Sequence, residues 1–380
     1  MYDVSLVPCA DYSEAAVRAS LAEAIEAIGG LDWVTPGMTV AVKANLVHHA
    51  DPAKAITTHP AVLAELTRLL TARGAAVIVG DSPSLPFTAP ILRKLYADCG
   101  LAAVEAAGGQ LNRDTSTVEV CFPGARRLHR FTAAAWLTKA DAIIDCCKLK
   151  THRYMGMTAA VKNFFGAIPG TMKSEYHFQH ASHAQFADML VDLAEYFAPR
   201  LCICDAVEAM EGSGPADGTP RHLGALLAAR SCHAMDLICA ELIGLAASEV
   251  DTLAAAAERG LISGDWRDVS LCGDLDALRA ADFEKAPRDG FVFSETGSGL
   301  GYRLSRTVMQ FAFRAKPVID SRCSGCGACT AGCPAGAIRL ENGRAQLNMH
   351  ACTRCLDCRE LCPTGALTLR RTPLARLTQK

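Results

Sequence analysis

The chain has 380 residues, half of them hydrophobic, with a formal net charge of −2 and 18 cysteines. That length and apolar content support two or three domains with a sizeable core. So balanced a charge argues against a general nucleic-acid binder or a membrane-surface binder, since both partners are polyanions.

From the N-terminus, short apolar runs alternate with amphipathic stretches. Strands are expected at Val4 to Val7, Thr39 to Val42, Ala76 to Val79, Ala142 to Cys146 and Leu201 to Cys204. Helices are expected at Glu14 to Ile28, Pro60 to Arg73, Thr158 to Ala167 and Phe186 to Phe197. The alternation predicts an α/β domain over residues 1–281, with a mainly parallel sheet flanked by helices. Residues 282–315 break the pattern with GSGLG and a basic, apolar stretch from Arg303 to Arg314, and read as a connector. GSGLG lacks the spacing of a dinucleotide fingerprint, so it is read as a turn. A small α+β ferredoxin-like domain follows over residues 316–371, and 372–380 form a tail.

No run of about 18 uncharged apolar residues occurs, so no membrane span is expected. The opening MYDVSLVPCADYSE has acidic residues where a secretory signal is basic. A cytoplasmic placement with reduced cysteines follows.

The cysteines carry the strongest chemical signal. Cys323, Cys326, Cys329 and Cys333 precede Pro334, and Cys352, Cys355, Cys358 and Cys362 precede Pro363. Both runs have the bacterial ferredoxin spacing C-x2-C-x2-C-x3-C-P, in which the fourth cysteine of each run ligates the other cluster. Two 4Fe-4S clusters are therefore expected, one on Cys323, Cys326, Cys329 and Cys362, the other on Cys352, Cys355, Cys358 and Cys333. A pair of zinc sites also uses C-x2-C knuckles but explains neither the third C-x2 step nor the prolines. Most of the other ten cysteines sit in apolar surroundings and read as small hydrophobes. Cys146 and Cys147 are singled out because they precede the densest polar segment.

In a parallel sheet, ligands collect beyond the carboxyl ends of the strands. Lys43 and Asn45 follow one strand, Asp81 and Ser82 another, and Lys148, Lys150 and His152 a third. With Lys162, Asn163, Lys173 and His177 they suit an anionic ligand, since ammonium groups supply charge and several donors. Asp205, Glu208 and Glu211 follow a further strand at steps of three, which on a helical turn would share one side. His177, His180 and His183 step by three, a poor match to the i, i+4 spacing of helical metal sites, and read as surface or hydrogen-bonding side chains.

The segments AVKANLV, ITTHPAV, VIVGDSP, KLKTH, AAVKNFFGAIPGTMKSEYH and DAVEAMEGSGPADGTP together resemble the family called domain of unknown function 362. The resemblance covers roughly Met1 to Ile262. It implies an α/β large domain with an iron-sulfur partner module and no settled reaction. His48-His49 after Asn45 departs from the more aromatic or apolar continuation expected there.

Three functions are open on this reading. In the first, an oxidoreductase relays electrons between two clusters and an anion held by Lys43, Lys148, Lys150 and Lys162, with His152 moving a proton and Asp205 and Glu208 orienting it. In the second, a carrier's α/β domain docks a redox partner protein without chemistry of its own. In the third, an anion-binding protein uses the clusters for structure or sensing.

Overall fold

The computed structural model describes residues 2–180, 182–288, 316–333, 335–352 and 357–370. GSGLG, the stretch from Arg303 to Arg314 and residues 372–380 lie outside the described residues.

The large domain is built on nine strands: β1 (Val4–Pro8), β2 (Thr39–Ala44), β3 (Ala76–Gly80), β4 (Gln110–Leu111), β7 (Ala142–His152), β8 (Gly156–Thr158), β9 (Leu201–Glu211), β10 (Thr219–Ala229) and β11 (Leu271–Cys272). Between them, β5 (Thr117–Cys121) and β6 (Arg130–Ala134) form a separate antiparallel pair. The nine-stranded sheet runs β11-β1-β10-β9-β7-β2-β3-β4, with β8 attached to β7. Parallel pairing joins β7 to β9, β2 to β7, β2 to β3, β3 to β4 and β1 to β11. The sheet is thus mainly parallel, and its central strands are buried along almost their whole length, as expected where helices cover both faces.

One helical group comprises α1 (Glu14–Ala27), α2 (Pro60–Thr71), α3 (Ala89–Asp98) and α4 (Ala102–Ala106). After the short α5 (Ala135–Thr138), the other comprises α6 (Ala160–Asn163), α7 (Lys173–Gln179), α8 (His183–Phe197), α9 (Cys232–Leu242) and α10 (Asp251–Glu258). Local chemistry sets their starts. The Ser13 side chain accepts from Ala16 N–H ahead of α1, which then buries Val17, Leu21, Ala24 and Ile25 as one stripe. Pro60 opens α2, where its missing N–H breaks no helical bond. Among the described residues, no helix is long and apolar enough to cross a membrane.

Three features depart from the sequence expectation. β7 and β9 each run eleven residues, well past Cys146 and Cys204, because Lys148, Lys150 and Asp205 find buried partners and need no exit to solvent. β10 returns antiparallel between β9 and β1. The helix expected over Thr158 to Ala167 is instead β8, the one-turn α6 and a 3-10 turn at Phe164–Ala167.

The second unit has its own small core of Cys329, Ile338, Ala345, Cys358, Cys362, Ala366 and Leu367. Strand β12 (Lys316–Ile319) pairs antiparallel with β15 (Leu367–Arg370), and β13 (Ile338–Glu341) with β14 (Arg344–Leu347). Asn342 and Gly343 turn the second hairpin with φ of 51° and 74°, the left-handed pair that a two-residue type I′ loop demands.

Candidate functional site

A cavity of about 440 Å³ opens beyond the carboxyl ends of β2, β3 and β7. Its lining includes Asn45, Asp81, Lys150, His152, Lys162, Asn163 and His177, which the sequence had placed at strand ends and in the segment that follows.

A buried polar framework supports the cavity. Lys43 Nζ lies 2.7 Å from Asp81 Oδ1 and donates to Ala44 O at 2.7 Å and Asn163 Oδ1 at 3.2 Å. Asp81 Oδ2 accepts from Leu46 N–H at 2.7 Å. Asn163 Nδ2 donates to Asp145 Oδ1 at 2.7 Å, and Asn45 Nδ2 donates to Asn163 Oδ1 at 3.0 Å. Lys150 Nζ closes the chain by donating to Asn45 Oδ1 and Ile56 O, both at 2.7 Å. Because ammonium groups only donate, the lysines fix the orientation of both amides. Lys43 itself stands behind the cavity lining, where it holds Asp81 and Asn163 in place.

The lysines at the cavity differ in their partners. Lys173 Nζ donates to the carbonyls of Ser82 and Ile168 at 2.7 Å and of Pro83 at 3.2 Å, so its three N–H groups are spent. Lys150 has the two acceptors just named. Lys162 has no hydrogen-bond or ion-pair partner among the described residues, and burial alone pushes its amine down to about 8. It sits at the end of α6, whose start is fixed by the Asp236 carboxylate accepting from Ala160 N–H at 2.7 Å and Val161 N–H at 3.2 Å.

His152 has a defined tautomer. Its Nδ1 accepts from Tyr154 N–H at 3.0 Å and Met155 N–H at 3.1 Å, so the proton of the neutral ring resides on Nε2. Burial, followed by Lys162, His177 and Lys150, holds its pKa well below the usual histidine range. His177 is likewise pushed down by burial and then Lys162; its ring stacks on Phe186 at 4.3 Å.

Two glycines permit this closeness. A Cβ at Gly166 would fall 2.7 Å from Lys43 Cε and closer still to Asp81 Oδ1. A Cβ at Gly214 would run into the Thr151 carbonyl, which keeps the loop carrying Ser213, Gly214 and Asp217 against the cavity.

Lys148, Asp205 and Glu208 assemble elsewhere. Lys148 Nζ pairs with Asp205 Oδ2 at 2.9 Å and donates to Tyr12 Oη at 2.8 Å. Tyr12 in turn donates to Asp205 Oδ1 at 2.8 Å. His59 N–H also donates to Asp205 Oδ2 at 2.9 Å, and the His59 ring stacks on Tyr12 at 3.5 Å. Glu208 faces His222 Nδ1 at 2.7 Å. None of the three lines the cavity, so Asp205 and Glu208 do not orient His152. They lie on β9 and not on a helical turn, and the saturated contacts of Asp205 make it a fastening between β7, β9, Tyr12 and the start of α2.

Cys146 and Cys147 are core residues; burial pushes both thiols far up, and neither lines the cavity. His177 belongs to α7 and His183 to α8, with His180 just past the end of α7. Among the described residues, no three His, Cys, Asp or Glu side chains group to hold a single metal ion. Sequence reasoning missed Tyr154, Arg153 and the Ser213 to Asp217 loop as parts of the cavity wall. Gly-Pro at 214–215 beside a polar strand end was the available signal.

In the small domain, Cys323, Cys326, Cys329 and Cys362 line one compact cavity. Three come from the first run and one from the second. Ala345 N–H donates to Cys323 Sγ at 3.5 Å and Ala337 N–H to Cys333 Sγ at 3.3 Å, and Thr364 Oγ1 lies 3.5 Å from Cys362 Sγ. Four sulfurs around one space, with backbone N–H groups aimed at sulfur, fit a 4Fe-4S cluster, whose potential such bonds tune. Cys358 is buried in the same core and Cys333 packs against it. Cys352 is partly buried, and Cys355 lies outside the described residues.

Comparison with known proteins gives three kinds of match. Residues 322–367 match a 4Fe-4S dicluster domain, so this part of the chain is a 4Fe-4S cluster-binding domain. A thylakoid-associated protein of Synechocystis sp. is 31% identical over 265 residues, covering 68% of this chain and 79% of that one. Among solved structures, the lactate racemase apoprotein from Thermoanaerobacterium thermosaccharolyticum superposes with a TM-score of 0.40 at 11% identity, over 65% of this chain and 58% of its own. A protein from Thermotoga maritima superposes with a TM-score of 0.34 at 13% identity, over 55% of this chain and 53% of its own. The chain thus spans less than two thirds of either solved protein. Residues 40–241 match the model named Domain of unknown function (DUF362), and with this match spanning more than half of its length, the chain belongs to that family.

Proposed function

We propose that this protein is an iron-sulfur oxidoreductase that passes electrons between a two-cluster 4Fe-4S module and a small anionic substrate or cofactor held in the α/β cavity. The observation that carries this reading is Lys162, an amine without a partner among the described residues, at a cavity also lined by Lys150, Lys173, His152 and His177, on the same chain as a cluster-binding domain. Covalent attachment of an electron source raises its effective concentration beside one site.

The geometry supports the following roles. Protonated Lys162 is a positive charge for the anion, and the Arg153 guanidinium lines the same cavity. Lys150 and Lys173 are held by carbonyl and amide oxygens and shape the wall; burial pushes the Lys173 amine down to about 7 and the Lys150 amine well below the usual lysine range. His152 presents a neutral N–H donor, with its other nitrogen already engaged, and so orients a ligand by donation. Asp81, Lys43, Asn45 and Asn163 keep these groups in register. Cys323, Cys326, Cys329 and Cys362 would hold one cluster and Cys352, Cys355, Cys358 and Cys333 the other, supplying one electron each. A cytoplasmic placement belongs to the same proposal, since the thiols outside the two runs suit a reducing compartment.

The test uses anaerobically purified protein reduced with dithionite and freed of excess reductant. Cluster absorbance is followed while a panel of small carboxylates and phosphates is added. At least one anion should speed reoxidation of the wild type, and Lys162→Met, with unchanged iron content, should lose that acceleration. Reoxidation indifferent to every anion, together with normal electron delivery to a redox partner protein, would establish the carrier instead.

A further inference from the structure

Charge is unevenly divided along the chain. Residues 1–288 carry 25 Lys and Arg against 34 Asp and Glu, whereas residues 316–370 carry seven against four. An acidic macromolecule is therefore repelled by the α/β domain and drawn to the cluster-binding domain. Arg339 and Arg344 lie on the β13–β14 hairpin and Arg370 ends β15, all three exposed. Among the described residues none of them has a carboxylate partner. Arg344 donates to the Asp320 carbonyl at 3.0 Å, while the Asp320 carboxylate is paired with Arg322 at 2.6 Å. Glu341, opposite Arg344, is the hairpin's single acid. In the β12–β15 pair Arg370 stands directly opposite Lys316, a like-charge pairing that an isolated sheet disfavours.

This basic surface borders the first cluster. A groove of about 400 Å³ is lined by Arg344 together with Pro317, Val318, Ile319, Ala345 and Met349. Ile319 and Ala345 also line the compact cavity enclosed by Cys323, Cys326, Cys329 and Cys362. Leu340 lines that cavity too and is 45% exposed, Val318 is 39% exposed, and Cys326 lies at the surface. Apolar side chains beside unpaired cations are what a polar-rimmed protein interface presents to a partner of opposite charge. The second run is engaged elsewhere: Arg359, next to Cys358, pairs with Glu119 on β5 of the α/β domain.

We propose that this face docks a small acidic electron-carrier protein, which supplies electrons to the first cluster. The proposal rests on the preceding reading only in that the clusters are redox-active, and it adds the partner that reduces them. Acidic side chains of the carrier meet Arg339, Arg344 and Arg370, and its apolar contact surface covers Val318 and Leu340. No bond forms or breaks: the carrier's reduced centre loses one electron and one 4Fe-4S cluster gains it. Attraction between opposite charges makes such an encounter fast at low ionic strength and slow at high ionic strength.

The probe is a strongly acidic plant-type 2Fe-2S ferredoxin. Reduced methyl viologen, a small cation that needs no docking surface, is the comparator. Each is mixed anaerobically with the full-length holoprotein in a stopped-flow spectrometer, and binding of the oxidised ferredoxin is measured by calorimetry. Reduction by the ferredoxin should be at least tenfold slower at about 0.5 M than at about 0.05 M ionic strength. At the lower ionic strength, Arg339→Glu combined with Arg344→Glu should weaken ferredoxin binding and slow its electron transfer at least tenfold. Iron content and the methyl viologen rate should not change. Arg344→Lys, and Arg93→Glu at an exposed position of α3, should stay within about twofold of wild type. Binding and transfer indifferent to the two charge reversals, or absent while methyl viologen reduces the clusters, would overturn the docking surface. Self-association of the protein alone, abolished by the same reversals, would give the surface to a second copy and overturn the carrier. Failure of anions to speed reoxidation of dithionite-reduced protein sinks the cavity reading and leaves docking standing. Clusters that neither donor reduces would overturn both.

Discussion

Lys43 and Asp81 form a fully buried ion pair, Nζ to Oδ1 at 2.7 Å, pressed against the backbone of Gly166. The pair is short of no partner: the lysine also bonds Ala44 O and Asn163 Oδ1, and the aspartate also accepts from the backbone of Leu46 and Ser82. Coulomb attraction alone rarely offsets the desolvation of two buried charges, but additional hydrogen bonds can. Gly166→Ala therefore forces apart a pair whose separation has no slack. Overpacking of this kind typically costs about 1–3 kcal/mol. The urea midpoint should fall accordingly, and the cavity should bind anions more weakly because Asn163 and Asn45 are carried by the same framework. A Gly166→Ala protein with unchanged urea midpoint and anion affinity would contradict this.

The Lys148 and Asp205 pair makes the opposite functional prediction. It is equally buried but faces Tyr12 and His59 instead of the cavity. Asp205→Ala leaves the Lys148 ammonium without its carboxylate, and removing one partner of a buried pair costs about 3–5 kcal/mol. The effect should appear in the urea midpoint. The rate of anion-dependent cluster reoxidation, measured at low temperature on the folded fraction, should stay within about twofold of wild type. A tenfold loss in that rate with normal stability would return Asp205 to the chemistry.

This contrast shows what the sequence makes legible. Strand ends rich in polar residues mark the right edge of a parallel sheet, because ligand sites lie there whatever the loops contain. Lys43, Asn45, Asp81, Lys150, His152, Lys162, Asn163 and His177 accordingly fall in or directly behind one cavity. The division between Lys148 and Lys150 is invisible in KLKTH. It arises where the β7 and β9 registers shift between these lysines, and where Tyr12 and His59 arrive from distant parts of the chain. Spacing in sequence reports which residues share a strand, whereas the partner of each side chain depends on the neighbouring strand. The same holds for β10, whose place between β9 and β1 depends on pairing across some two hundred residues. The Asn342-Gly343 turn, by contrast, is local and was there to be read.

Lys162 predicts a pH dependence of stability with a definite sign. Its folded-state value of about 8 lies below the ordinary lysine value of about 10.4. Between those values the unfolded chain binds more protons than the folded one, so stability rises with pH across the window. Below about pH 8 the full penalty of a desolvated ammonium is present. Lys162→Met removes the titration. The stability difference favouring Lys162→Met at pH 7 should therefore shrink by on the order of 1–3 kcal/mol by pH 10. Trp33, Trp136 and Trp266 all belong to the large domain, so urea unfolding followed by tryptophan fluorescence reports on it directly. A difference independent of pH from 7 to 10 would mean that the amine is not desolvated.

The crossing of ligands between the two cysteine runs can be tested with single substitutions. Cys362 belongs to the second run by sequence but lines the cavity of Cys323, Cys326 and Cys329. Cys362→Ala should therefore disable the cluster of the first run and spare the one proposed to be held by Cys352, Cys355, Cys358 and Cys333. Iron in the anaerobically purified protein should fall from about eight atoms per chain to about four. Pairing Cys362→Ala with Cys326→Ala should lower it no further, because both substitutions strike one cluster. Pairing Cys362→Ala with Cys355→Ala should take it towards zero. Without crossing, the outcomes of the two pairings exchange: Cys362 and Cys355 would then share a cluster, and it is the combination with Cys326→Ala that would empty the protein of iron. Iron analysis of the three variants decides between the two arrangements, and the reduced-state electron paramagnetic resonance signal provides an independent count of the clusters that remain.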